Sequence, residues 1–169
     1  MQKNWFKNYD KLAITENRKL ALEIANAGLN AIATEEVMLN SVKLENNILK
    51  IQNQEFDLAK FKKIKIVGFG KCSVQAAEVI EKILGDKINA GAVVGLRKSE
   101  NCKFIETFAG THPRPTEQNI EAGKKIFEII SNSNEEDLII VLVSGGGSAL
   151  LSYPESEYIQ GQKLYDAFL

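Results

Sequence analysis

The chain has 169 residues, 44% of them apolar and 25% charged, which is ordinary for one soluble globular domain and too hydrophobic for a disordered polymer. Twenty-one basic against 22 acidic side chains leave a formal net charge of -1, so the broad positive field of non-specific nucleic-acid binders is excluded and charge-based recognition must be local. The longest apolar run, residues 138–143, is six residues against the roughly 18 needed to span a bilayer. The amino end, Met1 to Asp10, has no secretory-signal pattern. The expectation is a cytoplasmic protein with no membrane span and no nucleic-acid partner.

From Thr15 the apolar positions Leu20, Ala21, Ile24, Ala27, Gly28 and Ala31 recur at three- and four-residue steps, which predicts a helix with one buried stripe. A second short helix is expected from Thr34. Residues 42–44, 48–51 and 55–58, separated by Asn46-Asn47 and Asn53-Gln54, read as short strands joined by turns. This helical lead-in with its short strands covers residues 1–60.

Residues 61–169 read as βα repeats. That alternation predicts an α/β fold: a Rossmann-like three-layer α/β/α arrangement with a mainly parallel sheet, preceded by helices and a small strand segment. Residues 63–70 form a strand running into glycines, and Val74, Ala77, Ile80 and Leu84 mark a helix that Gly85 can stop. Residues 90–95 are a second strand and residues 104–109 a third. Thr116 can cap a helix whose expected buried face is Ile120, Gly123, Phe127 and Ile130. Residues 138–143, apolar throughout, predict a strand covered on both faces. Tyr158, Leu164, Tyr165, Phe168 and Leu169 begin an amphipathic helix with an unfinished apolar face. We expect a truncated chain or an excised domain, the alternative being a short terminal helix docked on the core.

Cysteine and histidine narrow the chemistry. Cys72 and Cys102 belong to no Cys-x-x-Cys pair, so neither a structural zinc site nor a disulfide framework has support, and reduced thiols are expected. The single histidine, His112, excludes a multi-histidine metal site within the chain, and any Ser-His-Asp scheme would have to pass through it. No metal ligands are assigned.

Gly68-Phe-Gly-Lys-Cys-Ser73 follows the first long strand. A Walker A loop ending at Gly70-Lys71 needs glycine at 65 and serine or threonine at 72, where the chain has Lys65 and Cys72. The dinucleotide fingerprint needs glycine at 73 and an acidic residue after the second strand, where the chain has Ser73 and Gly95-Leu-Arg-Lys98. A nicotinamide cofactor is therefore disfavoured. What remains is an anion site with Gly68, Gly70 and Ser73 as candidate binding residues: the glycines let amides face a ligand, and the following helix points its positive end there. Lys71, read as part of the first helical turn, opposes the helix dipole unless it shares an anion with it. A lysine bent into solvent is the alternative.

Ser144-Gly-Gly-Gly-Ser148 is the strongest local signal. Gly145, Gly146 and Gly147 remove side-chain bulk and permit positive φ, so successive amides can converge on phosphate oxygens while Ser144 and Ser148 add hydroxyl donors. It lacks a Gly-x-Ser-x-Gly elbow, which makes a hydrolase the weaker reading. In Gly110-Thr-His-Pro-Arg-Pro115 two prolines stiffen a loop that presents His112 and Arg114. The imidazole can donate to a carboxylate or hydroxyl, and the guanidinium can pair with an anion.

Gly68-Phe-Gly-Lys71, Gly110-Thr-His-Pro-Arg-Pro115 and Val143-Ser-Gly-Gly-Gly-Ser-Ala-Leu-Leu151, in this order and spacing, resemble the signatures of the glycerate 2-kinase family, whose second domain is called MOFRL. The resemblance covers nearly the whole chain but only the front of the family pattern. It implies that residues 1–169 are the amino-terminal α/β domain of a longer kinase, its second domain absent here. It also implies ATP-dependent phosphorylation of D-glycerate, generally to 2-phosphoglycerate, with Mg2+ accompanying the nucleotide in an active site between two domains. Lys71 matches the family's catalytic lysine, residues 144–148 its phosphate- or substrate-binding glycine loop, and His112 its His-Pro motif. Cys72 and Thr111 depart from the small residue and the glycine more usual there. Some members are labelled hydroxypyruvate reductases, a name that the failed dinucleotide fingerprint argues against. A homodimer is compatible with this reading, and the chain by itself is expected to be inactive. The alternatives are a non-catalytic fragment and a phosphosugar- or anion-binding domain.

Overall fold

The computed structural model describes residues 4–168. Its lead-in consists of α1 (Tyr9–Leu12), α2 (Glu16–Ala31) and α3 (Thr34–Ser41). Thr15 opens α2 as expected, its side chain accepting the Arg18 amide and so satisfying a donor that the helix cannot. The apolar stripe of α2 is not buried, however: Leu20 and Ile24 are 57% and 66% exposed. Helical periodicity reveals an apolar face but not what covers it, and α2 packs chiefly against α1 and α3 rather than the sheet.

Three short strands follow, β1 (Val42–Glu45), β2 (Ile48–Ile51) and β3 (Gln54–Asp57), paired antiparallel in that order. Asn46 and Asn47 both take positive φ, as a two-residue hairpin turn requires. Val42, Leu49 and Leu58 carry this small sheet into the main core.

The second sheet is parallel and has the order β6-β5-β4-β7, built from β4 (Lys63–Phe69), β5 (Ile88–Gly95), β6 (Glu106–Ala109) and β7 (Asp137–Val143). Successive strand residues face opposite sides, so Ile64 and Ile66 meet α4 (Ser73–Leu84) through Val74, Ala77, Ile80 and Leu84. Val67, with Ala92 and Val94 of β5, meets α5 (Glu117–Ser131) through Ala122, Ile126 and Ile129. Each large apolar side chain buried this way contributes roughly 1.5–3 kcal/mol. Helices on both faces of a parallel sheet give the three-layer α/β/α fold expected from the alternation.

Several boundaries and faces differ from expectation for local reasons. The strand expected over residues 104–109 begins only at Glu106, because the amides of Lys103, Phe104 and Ile105 donate to the Glu81 carboxylate instead of to a ladder. Thr116 caps α5 and Asn119 completes a capping box, but the buried face is Asn119, Ala122, Gly123, Ile126 and Ile129. Phe127 and Ile130 are exposed, and Phe127 packs its ring on Tyr153 instead. β7 is not covered on both faces: it is the edge of the sheet, and Val141 and Val143 are 51% and 65% exposed while Leu142 is buried. The reason is that α5 lies over β5, β6 and β4, so that Ile139 packs against the margin of its cluster while Val141 and Val143 lie beyond it.

Beyond β7 come a one-turn helix, α6 (Gly147–Leu150), and α7 (Glu155–Phe168). The expected amphipathic helix is therefore present, yet none of its described residues is buried; Leu169 lies outside the described residues. No helix among the described residues is long and apolar enough to cross a membrane.

Candidate active site

In a doubly wound sheet the ligand crevice opens beyond the carboxyl ends of two neighbouring strands whose connections depart to opposite sides. Here those strands are β4 and β7, since β4 continues to β5 on one flank and β7 pairs on the other. Their ends carry Gly70-Lys71 and Ser144-Gly-Gly-Gly147. The two loops are stitched together: the Lys71 amide donates to Gly145 O at 2.9 Å and the Cys72 amide to Ser144 Oγ at 2.9 Å. Gly70 sits at φ +127°, and a Cβ there would collide with Ser144, so only glycine allows this approach.

Gly146, at φ +84°, is the focus. A Cβ built on it would lie 2.9 Å from Cδ2 of His112 and 3.0 Å from Cε of Lys71. The imidazole and the lysine stem, from two different strand ends, thus meet over the glycine loop. The amides of Gly145, Gly146, Gly147 and Ser148 donate to no acceptor among the described residues, and no described carboxylate pairs with Lys71. Free amides around a left-handed glycine, beside an uncompensated ammonium, give a local positive potential suited to an anion. Lys71 precedes the helix rather than belonging to its first turn, Cys72 being the N-cap. Its stem reaches over Gly146, and its charge adds to the positive end of α4, an arrangement that a bound anion would offset.

A family model described as "Domain of unknown function (DUF4147)" matches residues 20–167. The chain belongs to the DUF4147 family. Among curated relatives, a glycerate 2-kinase of Pyrococcus horikoshii is 30% identical over 138 residues, covering 82% of this chain and 31% of the relative. A glycerate 2-kinase of Picrophilus torridus is 33% identical over 150 residues, covering 88% and 34%. The solved structure of a glycerate kinase from Thermotoga maritima superposes with a TM-score of 0.66 at 26% identity, covering 90% of this chain and 34% of that one. The DUF4147 chain thus spans about a third of the length of the curated relatives it matches.

Not every sequence-predicted residue of this DUF4147 chain joins the cluster. Ser73 is buried, its hydroxyl 2.6 Å from Gly70 O and 2.7 Å from Val94 O, so it braces the loop from inside. Gly68 lies within β4, where a Cβ would press 2.9 Å from Leu142, and it serves close strand packing. The Arg114 guanidinium is held by α7, with Nη2 2.6 Å from Asp166 and Nε donating to Gln162. Gln162 Nε2 also reaches Pro115 O at 2.7 Å and the Tyr165 hydroxyl Pro113 O at 2.9 Å. The sequence reading misses these α7 residues because their partners lie 47 to 52 positions away. It also misses Asn119, whose signals are that it is a polar residue beside an apolar face and that it stands three positions after the Thr116 cap.

Proposed function

We propose that this chain forms the phosphate-handling part of a glycerate kinase, acting in a protein that transfers the terminal phosphoryl group of ATP to D-glycerate to give 2-phosphoglycerate. The meeting of Lys71 and His112 over Gly146, beside four free amides, carries this reading. The names of the relatives supply the acceptor. Because the chain spans about a third of those relatives, we assign it the phosphate-binding share of the reaction and place the rest of the active site on a second domain.

ATP supplies the reactive phosphoryl group. Phosphoryl transfer asks a protein to hold donor and acceptor in line and to stabilise charge spread over three equatorial oxygens. The amides of residues 145–148 are placed to receive those oxygens, Lys71 to neutralise the charge, and a ring nitrogen of His112 to donate to a phosphoryl or carboxylate oxygen. No three His, Cys, Asp or Glu side chains gather into a metal site among the described residues, so Mg2+ would enter this loop on the nucleotide's phosphates.

The test is ADP release from ATP and D-glycerate by the protein carrying this chain, with the product position read by phosphorus NMR. Lys71→Ala is expected to lower turnover on the order of 100-fold or more, as for loss of an oxyanion-stabilising donor, with little change in melting temperature. Turnover that the substitution leaves unchanged overturns the reading. Tight binding of a sugar phosphate without any ATP-dependent turnover would favour a phosphosugar-binding domain instead.

A further inference from the structure

Asn119 is fully buried, 0% exposed, in the first turn of α5. Its Oδ1 accepts the amides of Thr111 and Thr116 at 3.0 and 3.1 Å and lies 3.2 Å from both threonine hydroxyls. Its Nδ2 donates to Thr111 O at 3.1 Å, to Ala149 O at 3.1 Å and towards Leu150 O at 3.3 Å. Amide donors at one end and carbonyl acceptors at the other leave only one orientation of the side chain that satisfies both. One carboxamide thus ties residues 111–116, which carry His112, to α6, which follows directly on Gly146. Gly110 leaves room for it: a Cβ there would lie 3.0 Å from Nδ2.

We infer that Asn119 is a positioning residue that makes the imidazole loop and the glycine loop one rigid body, holding His112 over Gly146 and Lys71. A helix cap alone needs only the Oδ1 bonds with Thr116; the Nδ2 bonds with α6 do nothing for α5. Without the carboxamide, buried Leu150 O has no donor and Ala149 O keeps only the Ser152 hydroxyl at 3.1 Å, so the imidazole loop loses its tie to α6 and the loops can move apart. The consequence for anion binding rests on the functional reading above, whereas the consequence for His112 does not.

Because His112 is the only histidine, its ring protons are unambiguous in NMR spectra. In the native chain they should show NOEs to the Gly146 α-protons and the Lys71 ε-methylene. Asn119→Ala, and Asn119→Ser should the first fail to fold, is expected to abolish these NOEs. It should also weaken inorganic phosphate binding, followed through the same ring signals, by about five- to tenfold, the equivalent of one lost buried hydrogen bond. Ile129→Ala, which removes core packing from the far end of the same helix, should lower the melting temperature and leave the NOEs and the affinity intact. NOEs retained in both Asn119 variants overturn the inference. So do NOEs that vanish equally in Ile129→Ala, or NOEs abolished by the Asn119 substitutions while phosphate affinity stays native. If the native chain shows no response to phosphate, the functional reading fails, and the NOEs alone decide the role of Asn119.

Discussion

Lys65 and Lys71 stand six positions apart on one stretch of chain, yet opposite ends of β4 treat them in opposite ways. At the amino end Lys65 is 4% exposed, and all three of its donors are taken, by Asp137 Oδ2 at 2.7 Å, Asn132 O at 2.8 Å and Ser133 Oγ at 2.8 Å. At the carboxyl end Lys71 is exposed, pairs with no described carboxylate and leans on a loop of open amides. A cation whose donors are consumed by its own chain holds structure. One left uncompensated beside free backbone donors is available to a ligand.

Exchanging the two roles by mutation is the most direct way to break that contrast. Lys65→Met leaves the Asp137 carboxylate buried without a counter-charge and should lower the melting temperature by about 10 °C. The matching prediction is that phosphate affinity at a temperature where the variant is folded stays native. A Lys65 variant that binds phosphate poorly while folded would erase the distinction between the two ends.

Gly146→Ala sharpens the other side. It forces a side chain into a left-handed position and places a methyl 2.9 Å from His112 and 3.0 Å from Lys71. The expected outcome is a backbone cost of about 1–2 kcal/mol and roughly tenfold weaker phosphate binding by calorimetry, as a loss of about 1.4 kcal/mol at the site would produce. Unchanged affinity would mean that the cluster over Gly146 is not where the anion sits.

Acid titration separates the ends again. The Lys65 hydrogen bond outweighs desolvation and holds the Asp137 carboxyl below the usual range. With the folded pKa below the unfolded one, its stabilisation is complete above about pH 4 and is lost as pH falls through the folded value. Asp137→Asn should therefore give a shallower fall of melting temperature below pH 4. The fall should not vanish, since Glu78 is also held low: burial pushes it up, and hydrogen bonds from Arg97 and Ser99 more than reverse that. The smallest effect belongs to α7. Asp166→Asn opens an exposed ion pair with Arg114 and should move the melting temperature by no more than about 2–4 °C. A larger drop would show that α7 is held by more than surface interactions.

Much of this was legible from spacing. The alternation after residue 61, the helix start at Thr15, the Asn46-Asn47 turn and the glycine-rich ends of the 63–70 and 138–143 strands depend on near neighbours, and the structure shows each of them. Faces and coverings were less so. The α2 stripe and the outer residues of β7 are apolar but uncovered, and the α5 face is turned by one residue because Asn119 occupies the inward position that pattern reading reserves for an apolar side chain. Arg114 and Ser73 have the chemistry of ligand-binding residues, but Asp166, 52 positions away, holds the one, and Val94, 21 positions away, together with nearby Gly70 holds the other.

The sequence by itself determined the βα order, the left-handed Asn46-Asn47 turn, though not the left-handed Gln52 of the next hairpin, and the supply of glycines, lysine and imidazole at strand ends, because these are properties of residue type and local spacing. Only the tertiary structure decided which lysine is neutralised, that His112 and Lys71 meet over Gly146, and that one buried carboxamide joins their loops. Those outcomes depend on segments tens of residues apart, where packing rather than periodicity chooses the partner.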